Sequence, residues 1–401
     1  MPEIAPTAGL PPHCGDLWPR RGVGLAQRAA QFIGIDAVQL TCSGTAALVI
    51  ALTTLYRRTG RRTVVVPAYT CPLVALAVAH CGLRLRLCDL APDSIDMDAQ
   101  ALARLCNHDT LAVVVTHLGG RVADVGAALA VARAVGAHVI EDAAQALGAR
   151  SDGRSVGLAG DAGFFSLAVG KGLTTFEGGI LVTRNEDLRA EFARVAAELA
   201  PFQLAWELKR CLQLLGYHLA YRPTLLGLAY GMPLRRALRA GDLVAAVGDD
   251  FSSAIPMHAL GAWRQSVAAN AFARLPGFLA DCAAQAQRGR QRLAQIDGVE
   301  VLHDAVGAQG TWPFLMLRLP SEARRDAILR ELWSAGLGVS RLFIHALPDY
   351  AYLRKLVGEH EVPNARAFAA CTLTVSNSPW LDEVSLEKIL EVFERHAVKR
   401  R

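Results

Sequence analysis

A lysine stands between two glycines, Gly170-Lys171-Gly172, just after an apolar run carrying one hydroxyl, Ser166, and shortly before Glu177-Gly178-Gly179. A cation is unusual there unless its amine reacts, and the reaction open to a primary amine is Schiff-base formation with a carbonyl. The competing reading is a solvated lysine on a turn. Two other places carry chemistry. At Ser43-Gly44-Thr45 a short run breaks into a long Ala/Leu/Ile helix, whose first N–H groups and hydroxyls make an anion site; an ordinary N-cap by Ser43 or Thr45 explains the same residues. Asp142 ends the apolar run His138-Val139-Ile140-Glu141. A carboxylate at the tip of a buried strand needs a cationic or hydrogen-bonding partner, such as a protonated ring nitrogen; alternatively it caps the short helical segment that follows.

These residues sit at the ends of elements that alternate. Strands are expected over 37–41, 63–67, 83–88, 111–116 and 138–141, and an apolar strand carrying Ser166 leads to the lysine. Helices are expected over 22–34, from Ser43 to near Tyr56, and over 72–81, 97–106, 124–135 and 185–200. That alternation argues an α/β protein whose mostly parallel central sheet has helices on both faces. Ligands then sit beyond the carboxyl ends of the strands, where Ser43, Tyr69, His117 and Asp142 fall. From Phe251 a smaller α+β C-terminal domain is expected, with a helix from Met257 to about Ile296 broken near Pro276. Strands 299–302, 312–319 and 338–343 and helices 321–335 and 384–396 complete it. Pro348-Asp349-Tyr350 and Ser376-Asn377-Ser378-Pro379 read as loops able to face the first domain.

At 401 residues the chain exceeds the usual ceiling for a single core. The expected division is an N-terminal arm, 1–21, a large domain, 22–250, and a small one, 251–401. With 52 % hydrophobic and 20 % charged residues the chain can bury extensive cores. A net charge of +5 without a basic stripe or zinc-finger spacing suits an acidic small molecule and argues against nucleic acid. Nine scattered cysteines with no C-x-x-C pair favour free thiols in a reducing compartment, with no metal site. The Pro- and Gly-rich start lacks an apolar core of signal-peptide length and reads as an exposed arm of a cytoplasmic protein. Residues 201–240 are hydrophobic and arginine-bearing, interrupted by Arg210, His218, Arg222 and Pro223. They read as core and dimer interface, or as an amphipathic patch for a partner, substrate tail or membrane surface.

Taken together, Ser43-Gly44-Thr45-Ala46-Ala47-Leu48, Val66-Pro67, Thr116-His117-Leu118-Gly119-Gly120, Ile140-Glu141-Asp142-Ala143-Ala144-Gln145, Phe165-Ser166, Lys171 and Glu177-Gly178-Gly179 resemble the DegT/DnrJ/StrS-type sugar aminotransferases. These are pyridoxal 5'-phosphate (PLP) enzymes of the aspartate-aminotransferase-like fold type I. The resemblance implies that Lys171 holds the cofactor and moves a proton, and that Asp142 pairs with the pyridinium nitrogen. It further implies that Gln145 approaches the phenolic oxygen and that Ser43, Gly44, Thr45 and Ser166 bind the phosphate. An aromatic residue normally stacks on the ring after the Val-Pro strand; here the aligned position is Cys71, with Tyr69 as the substitute. His117, His345 and Ser378 are candidates to meet substrate.

The implied reaction moves nitrogen from an amino acid, usually glutamate, to a keto sugar, typically nucleotide-linked, in a homodimer. A relative with histidine in place of the lysine dehydrates instead; Lys171 favours transamination. The family's asparagine loop has no clear counterpart in 252–257, and its Leu-Pro-x-His-Pro pattern appears as Val375-Ser376-Asn377-Ser378-Pro379. These departures leave open a non-sugar ketone, a cyclitol or a lipid-linked acceptor, a PLP-dependent lyase, and a catalytically silent regulatory relative. A nucleotide-dependent enzyme without PLP ranks last, because no G-x-G-x-x-G or Walker pattern follows the first strand.

Overall fold

The computed structural model describes residues 1–18 and 22–397. Its strands are β1 (Gln39–Thr41), β2 (Thr63–Pro67), β3 (Arg84–Cys88), β4 (Thr110–Thr116), β5 (His138–Asp142), β6 (Arg150–Ser151), β7 (Arg154–Ser155), β8 (Ala162–Ser166), β9 (Gly179–Val182), β10 (Glu300–Val301), β11 (Ala308–Gln309), β12 (Phe314–Arg318), β13 (Val339–Ser340) and β14 (Thr372–Ser376). The helices that carry the argument are α1 (Leu25–Ile33), α2 (Gly44–Thr59), α3 (Pro72–His80), α4 (Ala99–Leu105), α5 (Val125–Ala134), α6 (Glu186–Leu199) and α7 (Leu204–Ala220).

A seven-stranded sheet runs β1-β9-β8-β5-β4-β2-β3. Its middle is parallel, with β3, β2, β4, β5 and β8 pairing side by side, while β9 runs antiparallel to β8 and to β1. The parallel strands are apolar runs because both faces are covered: every residue of β2 and β8 is buried. On one face α2 and α3 pack against the sheet, Leu48, Ile50, Leu52 and Leu55 of α2 being fully buried. On the other, Ala128 and Ala132 of α5 meet Val113 and Val139 in a separate cluster.

A second sheet, antiparallel throughout, has the order β10-β12-β14-β13. β14 lies in a stretch read from sequence only as the lead-in to a loop: Ser376 ends a fully buried strand. The strand expected over 338–343 shortens to β13, and the helix expected from Met257 is two helices, Ala262–Phe272 and Leu275–Leu293, with Pro276 in the first turn of the second. Proline suits that position because its missing N–H would be unpaired anyway.

The N-terminal stretch corrects an expectation. Glu3, Ile4, Ala5, Ala8, Leu10 and Asp16 are buried rather than forming an exposed arm. Ile4 N donates to Gly336 O, Ala8 N to Pro313 O and Leu10 N to Gly172 O, so the segment runs between the second sheet and the lysine loop. Residues 19–21 of the expected arm lie outside the described residues.

Candidate active site

Parallel pairing aligns the carboxyl ends of the central strands, with Thr116 opposite Asp142 and Asp142 opposite Phe164. Beyond those ends lies a cavity of about 530 Å³. It gathers Ser43, Gly44, Thr45, Gln145, Ser166 and Lys171, with Asp142 and His117 on its strand side.

One end suits an anion. Ser43 Oγ accepts from Ala46 N at 3.0 Å, as an N-cap does. The Gly44 and Thr45 amides have no hydrogen-bond partner among the described residues, and they start a helix of sixteen residues. Ser43 thus caps the helix, and the next two amides stay open among the described residues. The turn is tightly seated, for a Cβ on Gly179 would lie 2.5 Å from the Ser43 carbonyl, and one on Gly44 would lie 3.2 Å from Ser166 Cβ.

Asp142 Oδ1 accepts from Ala144 N at 3.0 Å, and Oδ2 has no hydrogen-bond partner among the described residues. Burial raises the pKa of this carboxyl, an effect opposed by the Ala144 amide and the charge of Lys171. A half-satisfied buried carboxylate of this kind is completed by a cation. Gln145 Oε1 accepts from Gly119 N at 2.8 Å, which leaves its Nε2 to donate elsewhere.

Lys171 has no hydrogen-bond or ion-pair partner among the described residues. Burial lowers its pKa, with Cys71 and Asp142 pulling the other way, and a lowered pKa enlarges the neutral, nucleophilic fraction of the amine. Positive φ at Gly170 and Gly172 (78° and 72°) explains the flanking glycines. Glu177, farther along the same loop, is bound by Arg210 and lies 3.3 Å from Trp206 Nε1 and 3.4 Å from His258 Nε2. Arg210 and Trp206 belong to α7, so part of the 201–240 segment is the outer wall of the lysine loop.

Four sequence-derived assignments change. Tyr69 is fully buried away from the cavity: its hydroxyl donates to Phe343 O at 3.1 Å and its ring packs edge-on to Phe343 and Phe368. The residue on the cavity wall is Cys71, whose thiol burial pushes up to about 12, so it is neutral. His345 lies outside the wall, edge-on to Tyr350, with burial lowering its pKa. Ser378 is buried, its carbonyl accepting from Gln285 at 3.0 Å and its hydroxyl from Trp380 N at 3.3 Å. His117 does reach the wall, but its ring is spoken for: Nδ1 accepts from Ala123 N at 3.1 Å and Nε2 faces Glu141 at 2.9 Å.

The sequence reading missed Asp249 and Arg341, both on the wall. Asp249 Oδ2 accepts from Tyr350 Oη at 2.6 Å and from Ile344 N at 3.0 Å, and burial lifts its pKa to about 6. Arg341 donates to the Ile344 and Ala369 carbonyls at 2.8 and 2.6 Å and has no acidic partner among the described residues. An arginine inside the apolar stretch 339–344 was the available signal for it.

The architecture and the strand-end cavity define an α/β protein of the fold type I arrangement. The same fold is found in Spr1654 of Streptococcus pneumoniae, solved in its PLP form, which aligns over 98 % of both chains with a TM-score of 0.75 at 19 % identity. Residues 22–213 match the model of the DegT/DnrJ/EryC1/StrS aminotransferase family. The chain is 36 % identical over 162 residues to GDP-perosamine synthase of Caulobacter vibrioides, covering 40 % of this chain. It is 35 % identical over 185 residues to L-glutamine:2-deoxy-scyllo-inosose aminotransferase of Streptoalloteichus tenebrarius, covering 45 % of this chain. The matched stretch spans 43 % of the length of each of those relatives.

Proposed function

We propose that the protein is a PLP-dependent aminotransferase that passes an amino group from an amino acid to the ketone of a polyhydroxylated ring, a nucleotide-linked keto sugar or a cyclitol. The observation that carries this is the combination, in one cavity, of an unpaired loop lysine, a half-satisfied buried aspartate and an open helix start. That donor set fits the cofactor. The Gly44 and Thr45 amides with Thr45 and Ser166 hydroxyls would hold a phosphate, Asp142 Oδ2 would accept from a protonated ring nitrogen, and Gln145 Nε2 would donate to a phenolic oxygen.

When bound, PLP supplies an aldehyde that takes up an amine covalently and a ring that withdraws electrons from the adjoining carbon. The protein's own part is proton management. Lys171 Nζ, shifted towards its neutral form by burial, takes a proton from the substrate α-carbon and returns it on the far side of the exchange. Asp142 stays ionised once a cation faces it and thereby keeps that cation protonated. Arg341, on the wall and without an ion pair among the described residues, offers a positive charge suited to the carboxylate of an amino acid donor. The names of the relatives support both acceptor classes, one being a GDP-perosamine synthase and the other acting on an inosose with glutamine as donor.

The test is an absorbance spectrum of the protein with added PLP. The expected result is a band at the edge of the visible range that disappears in Lys171→Ala and is bleached by glutamate or glutamine. A wild-type protein that takes up no PLP would sink the proposal. A band that no amino acid bleaches would leave a lyase or a regulatory binding protein as the better account.

A further inference from the structure

Helix α7 presents Leu204, Leu208, Leu212, Leu215 and Leu219 to solvent, with exposures of 38 to 72 %. Their spacing puts them within an arc of about 80° on one side of the helix. The opposite side is anchored: the Arg264 guanidinium holds Glu207 at 2.9 and 2.5 Å, Arg210 holds Glu177, and Leu214 and Tyr217 are buried. The next helical stretch, Pro223–Leu226 running through Gly227–Gly231 into Met232–Arg239, adds exposed Leu225, Leu228 and Met232. An apolar face this continuous is well beyond the singly scattered leucines of an ordinary surface.

Charge says what covers it. Between residues 201 and 240 stand six basic residues, Lys209, Arg210, Arg222, Arg235, Arg236 and Arg239, against one acid, Glu207. This segment alone therefore matches the +5 of the entire chain. Arg210 and Arg235 are paired with Glu177 and Glu3, whereas exposed Lys209, Arg222, Arg236 and Arg239 have no acidic partner among the described residues. A second copy meeting this face about a two-fold axis would set the same unneutralised cations against themselves. Leucines flanked by free lysine and arginine instead complement acyl chains beneath anionic headgroups. Among the described residues no helix is long and apolar enough to cross a membrane, which is consistent with lying on one.

We propose that α7 and the helical stretch 223–239 dock the protein on an anionic lipid surface, leucines in the acyl boundary and the four free cations against the headgroups. The docked face adjoins the cavity: Tyr230, between Leu228 and Met232, is on the cavity wall, and Arg210 clasps the lysine loop through Glu177.

Co-sedimentation of the full chain with vesicles tests this, using phosphatidylcholine alone and phosphatidylcholine mixed with phosphatidylglycerol. Binding is expected only to the mixed vesicles, weakening as salt screens the headgroups. Leu208→Glu with Leu212→Glu, both exposed and so neutral to folding by circular dichroism, is expected to lower the partition coefficient about tenfold or more. Arg236→Glu with Arg239→Glu is expected to lower it comparably without touching the leucines. Absence of binding to the mixed vesicles overturns the proposal, as does equal binding to both kinds. So does a wild-type protein that ignores vesicles yet sediments as a dimer that the leucine variant splits, because a second copy is then the occupant. The readout is partitioning rather than turnover, so it stands or falls apart from the aminotransferase reading.

Discussion

His117 and Glu141 form a sealed pair in the core behind the cavity, Nε2 to Oε2 at 2.9 Å with neither side chain more than 1 % exposed. Because Nδ1 accepts from the Ala123 amide, the ring proton sits on Nε2 and points at the carboxylate. Glu141 also accepts from Gly157 N at 2.8 Å and Gly160 N at 2.7 Å. It precedes Asp142 on β5, so this cluster fixes the strand that presents Asp142 to the cavity.

Removing the carboxylate should therefore be costly. Glu141→Ala leaves three donors unpaired, two of them buried, and is expected to lose about 3–5 kcal/mol in urea unfolding. Burial pushes the Glu141 pKa up, but His117 and the two glycine amides together hold it below its ordinary value. A lowered folded pKa gives stability that is present above the unfolded pKa, about 4.3, and lost as pH falls through the folded value. The gap between wild type and Glu141→Gln should accordingly narrow in acid. A gap that does not change with pH would contradict this.

Asp249 should show the opposite sign. Its pKa is raised by burial from 3.8 to about 6, despite hydrogen bonds from Tyr350 and Ile344 and the charge of Arg341. Its contribution is full below the unfolded pKa and is lost as pH rises through about 6. Asp249→Asn keeps an oxygen acceptor, so its melting temperature relative to wild type is expected to climb between pH 5 and pH 7. A flat difference across that window would refute the assignment.

Gly179→Ala separates ligand binding from folding. The added methyl would sit 2.5 Å from the Ser43 carbonyl and push on the turn that opens α2. Overpacking of this kind costs about 1–3 kcal/mol of stability. The larger expected effect is on PLP affinity, weaker by about tenfold or more, because the displaced residues are the anion site. Equilibrium dialysis at a temperature where the variant is folded measures it.

Tyr69 and Cys71 can be told apart by substitution. Tyr69→Phe deletes a hydroxyl that donates to Phe343 O and accepts from Phe343 N at 3.2 Å, for an expected loss of about 0.5–1.5 kcal/mol. The spectrum with PLP should be unchanged. Cys71→Ala, on the cavity wall, is expected to shift the band while barely altering stability. The reverse pattern would return Tyr69 to the cofactor.

What could be read from the amino acids was the part in which neighbours along the chain decide the outcome. The runs 63–67, 111–116 and 138–141 are apolar because both faces of a parallel sheet are covered, and His117 and Asp142 are placed by being the next residues. Pattern could not tell which way a side chain turns once the strand has ended. Tyr69 and Cys71 are two residues apart, yet one enters the core with Phe368 and the other faces the cavity. Asp249 and Arg341 were illegible for a related reason: their partners, Tyr350 and Ala369, are set by tertiary packing. The start of the chain was misread because proline and glycine suggest exposure, whereas burial there is supplied by residues more than 200 positions later, such as Tyr221 against Gly9.

That threading has a consequence for the order of assembly. Leu10 N donates to Gly172 O and Thr7 lies against Gly170, while Ala5 O accepts from the Ser376 hydroxyl. Residues 5–10 can thus complete their contacts only after residue 376 has been made. Contacts of such long sequence separation form late, after the sheets they bridge. The loop bearing Lys171 would then be the last part of the cavity to settle, clasped by residues made some 160 positions before it.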